Sequence, residues 1–101
     1  MHKYTGFQRD LLYIIAGADR PHGLAVKELA EDYYPEAINH GRLYPNLDTL
    51  VDDGLVDKQS RDRRTNVYVL TKRGQEVIDE RREWEEEHLS EDENEHTPEL
   101  Y

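Results

Sequence analysis

Two groups of residues have the types and spacing that nucleic-acid chemistry requires. Residues 58–73 hold Lys58, Arg61, Arg63, Arg64, Lys72 and Arg73 against Asp62 alone, a net charge of +5 over 16 residues. Such a cluster neutralises phosphates and releases their counterions, which gives binding without sequence preference. The second group lies in "HGRLYPNLDTL", residues 40–50. Arg42 can pair bidentately with guanine O6 and N7, and His40, Asn46 and Thr49 flank the same surface. Tyr44 stands at the edge of an apolar stripe, which half-buries its ring and leaves the hydroxyl for a phosphate. The acids Asp48, Asp52 and Asp53 predict that only the front half of this segment goes deep into a groove.

Other chemistries find little support. The serines are Ser60 and Ser90, and neither has a nucleophile-elbow context. There is no Gly-rich phosphate loop and no paired-histidine metal motif. His2, His22, His40, His88 and His96 are scattered, and the absence of cysteine excludes disulfides and thiolate metal sites. The run "EWEEEH" at 83–88 reads as a solvated helix face rather than a metal site. The expectation is a protein without catalytic residues, metal or cofactor, and not an enzyme.

The candidate contacts must be positioned by the elements around them. A first helix runs from about Thr5 to Ala18, capped by Thr5, with Phe7, Leu11, Ile14 and Ile15 on one face. Turn residues 19–23 end it. A second, about Leu24 to Tyr34, sets Val26, Leu29, Ala30 and Tyr33 on one face, and Pro35 stops it. The third is entered through Asn39 as N-cap and left through Gly54, with Leu43, Leu47, Leu50 and Val51 forming its stripe. Pro45 lies inside that stripe's span; Gly41, four residues back, can tilt its peptide away from the ring and lower the usual cost of ~3 kcal/mol. After Gly54 the period falls to two: 55–59 and 66–70 read as strands around the polar loop 60–65. Thr71 then caps a fourth helix over 72–88.

The chain of 101 residues is 36% hydrophobic and reads as one domain with a thin core. Its net charge of −10 is uneven: residues 1–74 hold 11 basic and 11 acidic residues, whereas 75–101 hold Arg81 and Arg82 against 12 acids. The domain spans 1–88, and 89–101 read as an acidic, disordered tail. No apolar run reaches membrane-span length and no signal peptide opens the chain, so a cytoplasmic protein is expected. Lysine is scarce, 4 against 9 arginines, and acids abound. Proteins of salt-accumulating archaea tend to look like this.

Three helices, a basic hairpin and a long helix make an α+β, mostly α, winged helix-turn-helix arrangement, in which the third helix enters the major groove. The residues themselves resemble the PadR family of transcriptional regulators. Its Gly-x-Leu-Tyr-Pro-x-Leu core and trailing Gly-Leu-Val match Gly41, Leu43, Tyr44, Pro45, Leu47, Gly54, Leu55 and Val56. Tyr68, Leu70, Thr71 and Gly74 match its wing exit, and His22-Gly23 its second-helix entry. The resemblance covers roughly residues 7–85 and implies a dimeric, DNA-binding, usually repressing protein. A small-molecule effector is compatible with it but not indicated by the residues. The expected partners are thus double-stranded DNA, through His40, Arg42, Tyr44, Asn46, Thr49, Lys58, Arg61, Arg63 and Arg64, and a second copy of the chain. For the homodimer, Val77, Ile78 and Trp84 of the fourth helix are expected to meet their mirror images and Tyr4, Phe7 and Leu11. The alternative is a winged helix that has lost DNA readout and binds another protein through its acidic fourth helix.

Overall fold

The Thr5 hydroxyl accepts from the backbone N–H of Gln8 at 3.1 Å, and the Gln8 side chain accepts in return from the Thr5 N–H. This capping box opens α1 (Gly6–Gly17) in the computed structural model, which describes residues 1–89. There follow α2 (Gly23–Tyr33), α3 (His40–Asp52), strands β1 (Val56–Ser60) and β2 (Asn66–Leu70), and α4 (Lys72–Leu89). The Asn39 side chain caps α3 by accepting from Arg42 N–H at 2.8 Å. Gly54, at φ +79°, turns the chain out of α3, a backbone conformation that glycine adopts without a Cβ penalty. The Thr71 hydroxyl accepts from Gly74 N–H at 3.0 Å and so caps α4. α3 runs unbroken through Pro45, whose ring is exposed.

One core cluster joins all the elements. Leu43, Leu47 and Leu50 of α3 are completely buried, as are Leu11, Val26, Ala30 and Leu55. Each buried leucine stabilises the fold by about 1.5–3 kcal/mol relative to exposure. β1 and β2 pair antiparallel from Val56↔Leu70 to Ser60↔Asn66. The hairpin is fastened to the helices where Tyr68 N–H donates to the Pro21 carbonyl at 2.9 Å and His22 forms an isolated bridge with Val67.

Two packing expectations are corrected. On α2, Leu29 and Tyr33 are 42% and 75% exposed, not core. The aromatic place against α1 is taken by Tyr34, just beyond the helix, whose ring meets Phe7 edge-on at 5.6 Å and whose hydroxyl donates to Asp10. The second correction concerns the expected dimer residues. Tyr4, Phe7, Leu11, Val77 and Ile78 are all buried inside the single domain, which leaves Trp84, 47% exposed, as the one of the six facing solvent. The reason is the close seating of the first turns of α4. Gly74 lies so near the Leu55 carbonyl and Leu70 that a Cβ there has no room, and Val77 and Ile78 drop into the core behind it. Leu89 belongs to α4 rather than to the tail, and the rest of the expected tail, 90–101, lies outside the described residues.

Candidate nucleic-acid interface

The loop 61–65 that joins the strands is folded by the single acid of the basic patch. The Asp62 carboxylate accepts from Arg64 N–H at 3.0 Å, and Ser60 Oγ donates to the Asp62 carbonyl at 3.0 Å. That backbone hydrogen bond, with smaller contributions from Thr65 and Arg61, holds the Asp62 carboxyl below the usual carboxylate range. Arg61, Arg63 and Arg64 are left exposed around the tip, and Lys58 is exposed on β1. Arg61 makes only a long contact with Asp62, at 4.0 Å, so the cationic surface is not cancelled internally.

Tethering of β2 to Pro21 and His22 brings this hairpin beside the first turn of α2. A cleft of about 230 Å³ separates them, lined by His22, Gly23 and Leu24 on one side and by Lys58, Arg64 and Asn66 on the other. Tyr44 of α3 forms its floor, half-buried, with the ring against Gly23 and 5.5 Å from the His40 ring. A helix N-terminus carries partial positive charge, so the cleft is electropositive from both walls. Burial, then the neighbouring Tyr44 and Asp48, push the Tyr68 phenol above its ordinary value.

The other flank of α3 faces α1. The Arg42 guanidinium lies over the Phe7 ring at 4.0 Å and within 5.5 Å of the Tyr34 ring. Asn46 donates to the Arg42 carbonyl at 2.6 Å and accepts from Gln8 Nε2 at 2.9 Å. The Thr49 hydroxyl donates to the Pro45 carbonyl at 3.1 Å. The expected α3 contacts therefore divide. Tyr44 lies at the cleft with the His40 ring beside it, whereas Arg42 and Asn46 are engaged with Phe7, Tyr34 and Gln8.

Three participants escaped the sequence reading. Asp62 looked like a blemish on the basic patch and is what folds its tip. Gln8 bonds both the Thr5 N–H and the Asn46 side chain, the second a tertiary contact that no local pattern signals. Gly23 reads from the sequence as turn chemistry and as the family's second-helix entry; its place as the seat of Tyr44 is tertiary. Among the described residues, no group of three His, Asp or Glu side chains is arranged to hold a metal ion. No helix among them is long and apolar enough to cross a membrane.

A recognition helix beside a cationic wing, on a body of three helices, defines a winged-helix protein. The chain matches the model of the transcriptional regulator PadR-like family over residues 11–80, and it belongs to that family. Among solved structures, RosR from Halobacterium salinarum, grown from NaBr, is 44% identical with a TM-score of 0.82, over 88% of this chain and 80% of RosR. The RosR-S1 complex is 43% identical with a TM-score of 0.85, over 92% of this chain and 82% of that one. F93 from STIV, a winged-helix DNA-binding protein, shares 22% identity and a TM-score of 0.67 over 88% of this chain and 98% of F93, a likeness of fold alone. No curated protein matches the chain.

Proposed function

We propose that the chain is a sequence-specific DNA-binding repressor that acts as a homodimer on a pseudo-palindromic operator. The observation that carries this reading is the convergence of three features on one side of the domain: the α3 surface with His40 and Tyr44, the first turn of α2, and the cationic wing. In such a geometry α3 enters the major groove while the wing follows the backbone or minor groove. Lys58, Arg61, Arg63 and Arg64 hold phosphates, and the cleft between α2 and the wing receives one of them from both walls. His40, Tyr44 and Thr49 meet the duplex from α3, joined by Arg42 and Asn46 if they release Phe7 and Gln8.

Trp84 anchors the dimer. Its indole is stacked between the Arg81 guanidinium and the His88 ring, each 4.2 Å away, and stays 47% exposed. Leu89, 78% exposed, lies further along the same helix. Two-fold symmetry of the pair would be mirrored in the operator, with half-sites about 34–36 Å apart. Repression follows by occluding or bending promoter DNA. The regulator is cytoplasmic and carries out no catalysis. Its likeness to a Halobacterium salinarum protein supports a salt-rich cell, where at ~1 M salt the Debye length of ~3 Å prevents the acidic end from repelling DNA at a distance.

A mobility assay with DNA from upstream of the protein's own gene, at several salt concentrations, tests the reading. Retardation at lower protein concentration than for a random duplex is expected. Equal retardation of both duplexes at every salt overturns sequence specificity. A second reading, a protein-interaction module, is favoured by the exposure of Leu29 and Tyr33 on α2 and predicts no retardation of either duplex.

A further inference from the structure

We propose that Asp48 is a base-reading residue of α3 that accepts a hydrogen bond from the N4 amino group of a cytosine in the major groove, an inference that rests on the DNA-binding reading above. The buried line of Leu43, Leu47 and Leu50 fixes which face of α3 looks outward. Opposite it, at helical spacing, lie Gly41, Pro45, Asp48 and Asp52, all exposed. Gly41 has no side chain and Pro45 only a compact, donor-free ring. The helix backbone can therefore come close to base edges, within reach of a carboxylate as short as that of Asp48.

Two of the longer polar side chains beside this face, Arg42 and Asn46, are already engaged. Arg42 lies on Phe7, and both ends of the Asn46 amide are bonded, to the Arg42 carbonyl and to Gln8. Asp53 is turned back to the N-terminal segment, accepting from the Tyr4 hydroxyl at 2.8 Å and paired with Lys3 at 3.6 Å. Asp48 differs, having neither a hydrogen bond nor an ion pair among the described residues. Asp52 shares its exposure but is the last residue of α3, one turn beyond Asp48; base contact then runs past the front half that the acids of α3 predict, as far as Asp48.

An ionised carboxylate only accepts hydrogen bonds, so it gains nothing from phosphate and is repelled by it. In the major groove it finds donors only at cytosine N4 and adenine N6. Guanine O6 and N7 and thymine O4 present lone pairs to it. Adenine sets N7, another acceptor, next to its amino group, where the second carboxylate oxygen would meet it; cytosine sets a C–H there. The carboxylate thus selects cytosine, by roughly tenfold for one such contact.

Selection from a pool of randomised duplexes, using the full chain, tests the assignment. The wild type should enrich a motif with a C·G pair at one defined position in each half-site. Asp48→Ala, at an exposed position without partners, should keep the wild-type melting midpoint and lose the preference at that position alone. Asp48→Asn should shift it towards adenine, because an amide pairs bidentately with N6 and N7. An Asp48→Ala motif identical to the wild-type one, or weakened equally at every position, overturns the role of Asp48 and leaves DNA binding standing. A wild type that enriches no motif overturns the role of Asp48 and sequence-specific recognition together.

Discussion

The ring of Tyr44 rests on the backbone of Gly23, so closely that a Cβ at position 23 would stand 2.9 Å from Cε1 and 3.0 Å from Cζ. The contact ties α3 to the first turn of α2. The residues just before that turn, Pro21 and His22, hold the wing. Gly23→Ala should therefore cost about 1–3 kcal/mol by overpacking. Urea unfolding measures it. Tyr44→Ala in the same chain should return much of the loss, as a double-mutant cycle would show; a neutral Gly23→Ala means the ring moves aside freely.

Arg42→Ala removes the guanidinium from Phe7 and Tyr34, a cation–π contact of about 0.5–2 kcal/mol. Stability should fall by that amount. Affinities for selected and random duplex should drop by similar factors, since the effect passes through the placement of α3. A drop confined to the selected duplex would show that Arg42 leaves its seat to read a base.

Arg63→Ala with Arg64→Ala should weaken selected and random duplexes about equally, and flatten the dependence of log affinity on log salt by roughly 0.9 per lost phosphate contact. Titrations at three or more salt concentrations give the slope. Lost specificity with an unchanged slope would assign these arginines to bases instead.

Trp84→Ala should leave the fold intact, because the indole lies outside the core, and should move the proposed dimer towards monomer. Aromatic anchors of this kind carry 2 kcal/mol or more of an interface. Sedimentation at low and high protein concentration reads the shift, and a wild type that is monomeric at high concentration in concentrated salt removes the basis for it.

Alkaline unfolding should be led by two phenols. Burial, followed by a hydrogen bond to Asp53 for Tyr4 and to Asp10 for Tyr34, pushes each up to about 12 from 10.0. A folded-state pKa above the unfolded one means that the stabilisation is complete below pH 10 and is lost as pH rises from 10 towards 12. Tyr4→Phe and Tyr34→Phe should each flatten that limb of a stability profile. Glu31 acts at the other end. The Ile38 N–H, then Lys27, hold its carboxyl below 4.5, so its contribution is present above that pH and lost as pH falls through the lowered value.

Local signals made most of this fold legible. Thr5, Asn39, Gly54 and Thr71 sit at the helix boundaries where their capping chemistry places them, and the Leu43/Leu47/Leu50 period marks the buried face of α3. What stayed hidden depends on which neighbour arrives. Val77 and Ile78 stand on a helix covered in acids and looked available to a partner, but Gly74 lets α4 approach Leu55 and bury them. Tyr33 and Tyr34 are indistinguishable by composition, and α1 accepts only Tyr34. Arg42 and Asn46 have the right chemistry for bases, yet the same groups satisfy Phe7 and Gln8 across a gap of more than thirty residues in sequence.

At the base of the wing, α3, β1 and α4 meet. The Thr71 hydroxyl donates to the Gly54 carbonyl at 2.6 Å, Thr71 N–H donates to the Leu55 carbonyl at 3.1 Å, and Gly74 lies against that carbonyl. This joint sets the angle at which α4 leaves the domain, as the pivot of a lever. Its long arm is α4, whose 18 residues span about 27 Å at 1.5 Å per residue. A rotation of roughly a tenth of a radian at this joint would carry the far end of such a helix through almost 3 Å, about half a helical turn. In the proposed dimer the two far ends are joined, so the gauge between the paired recognition helices would be set by the angle at Gly54 and Thr71.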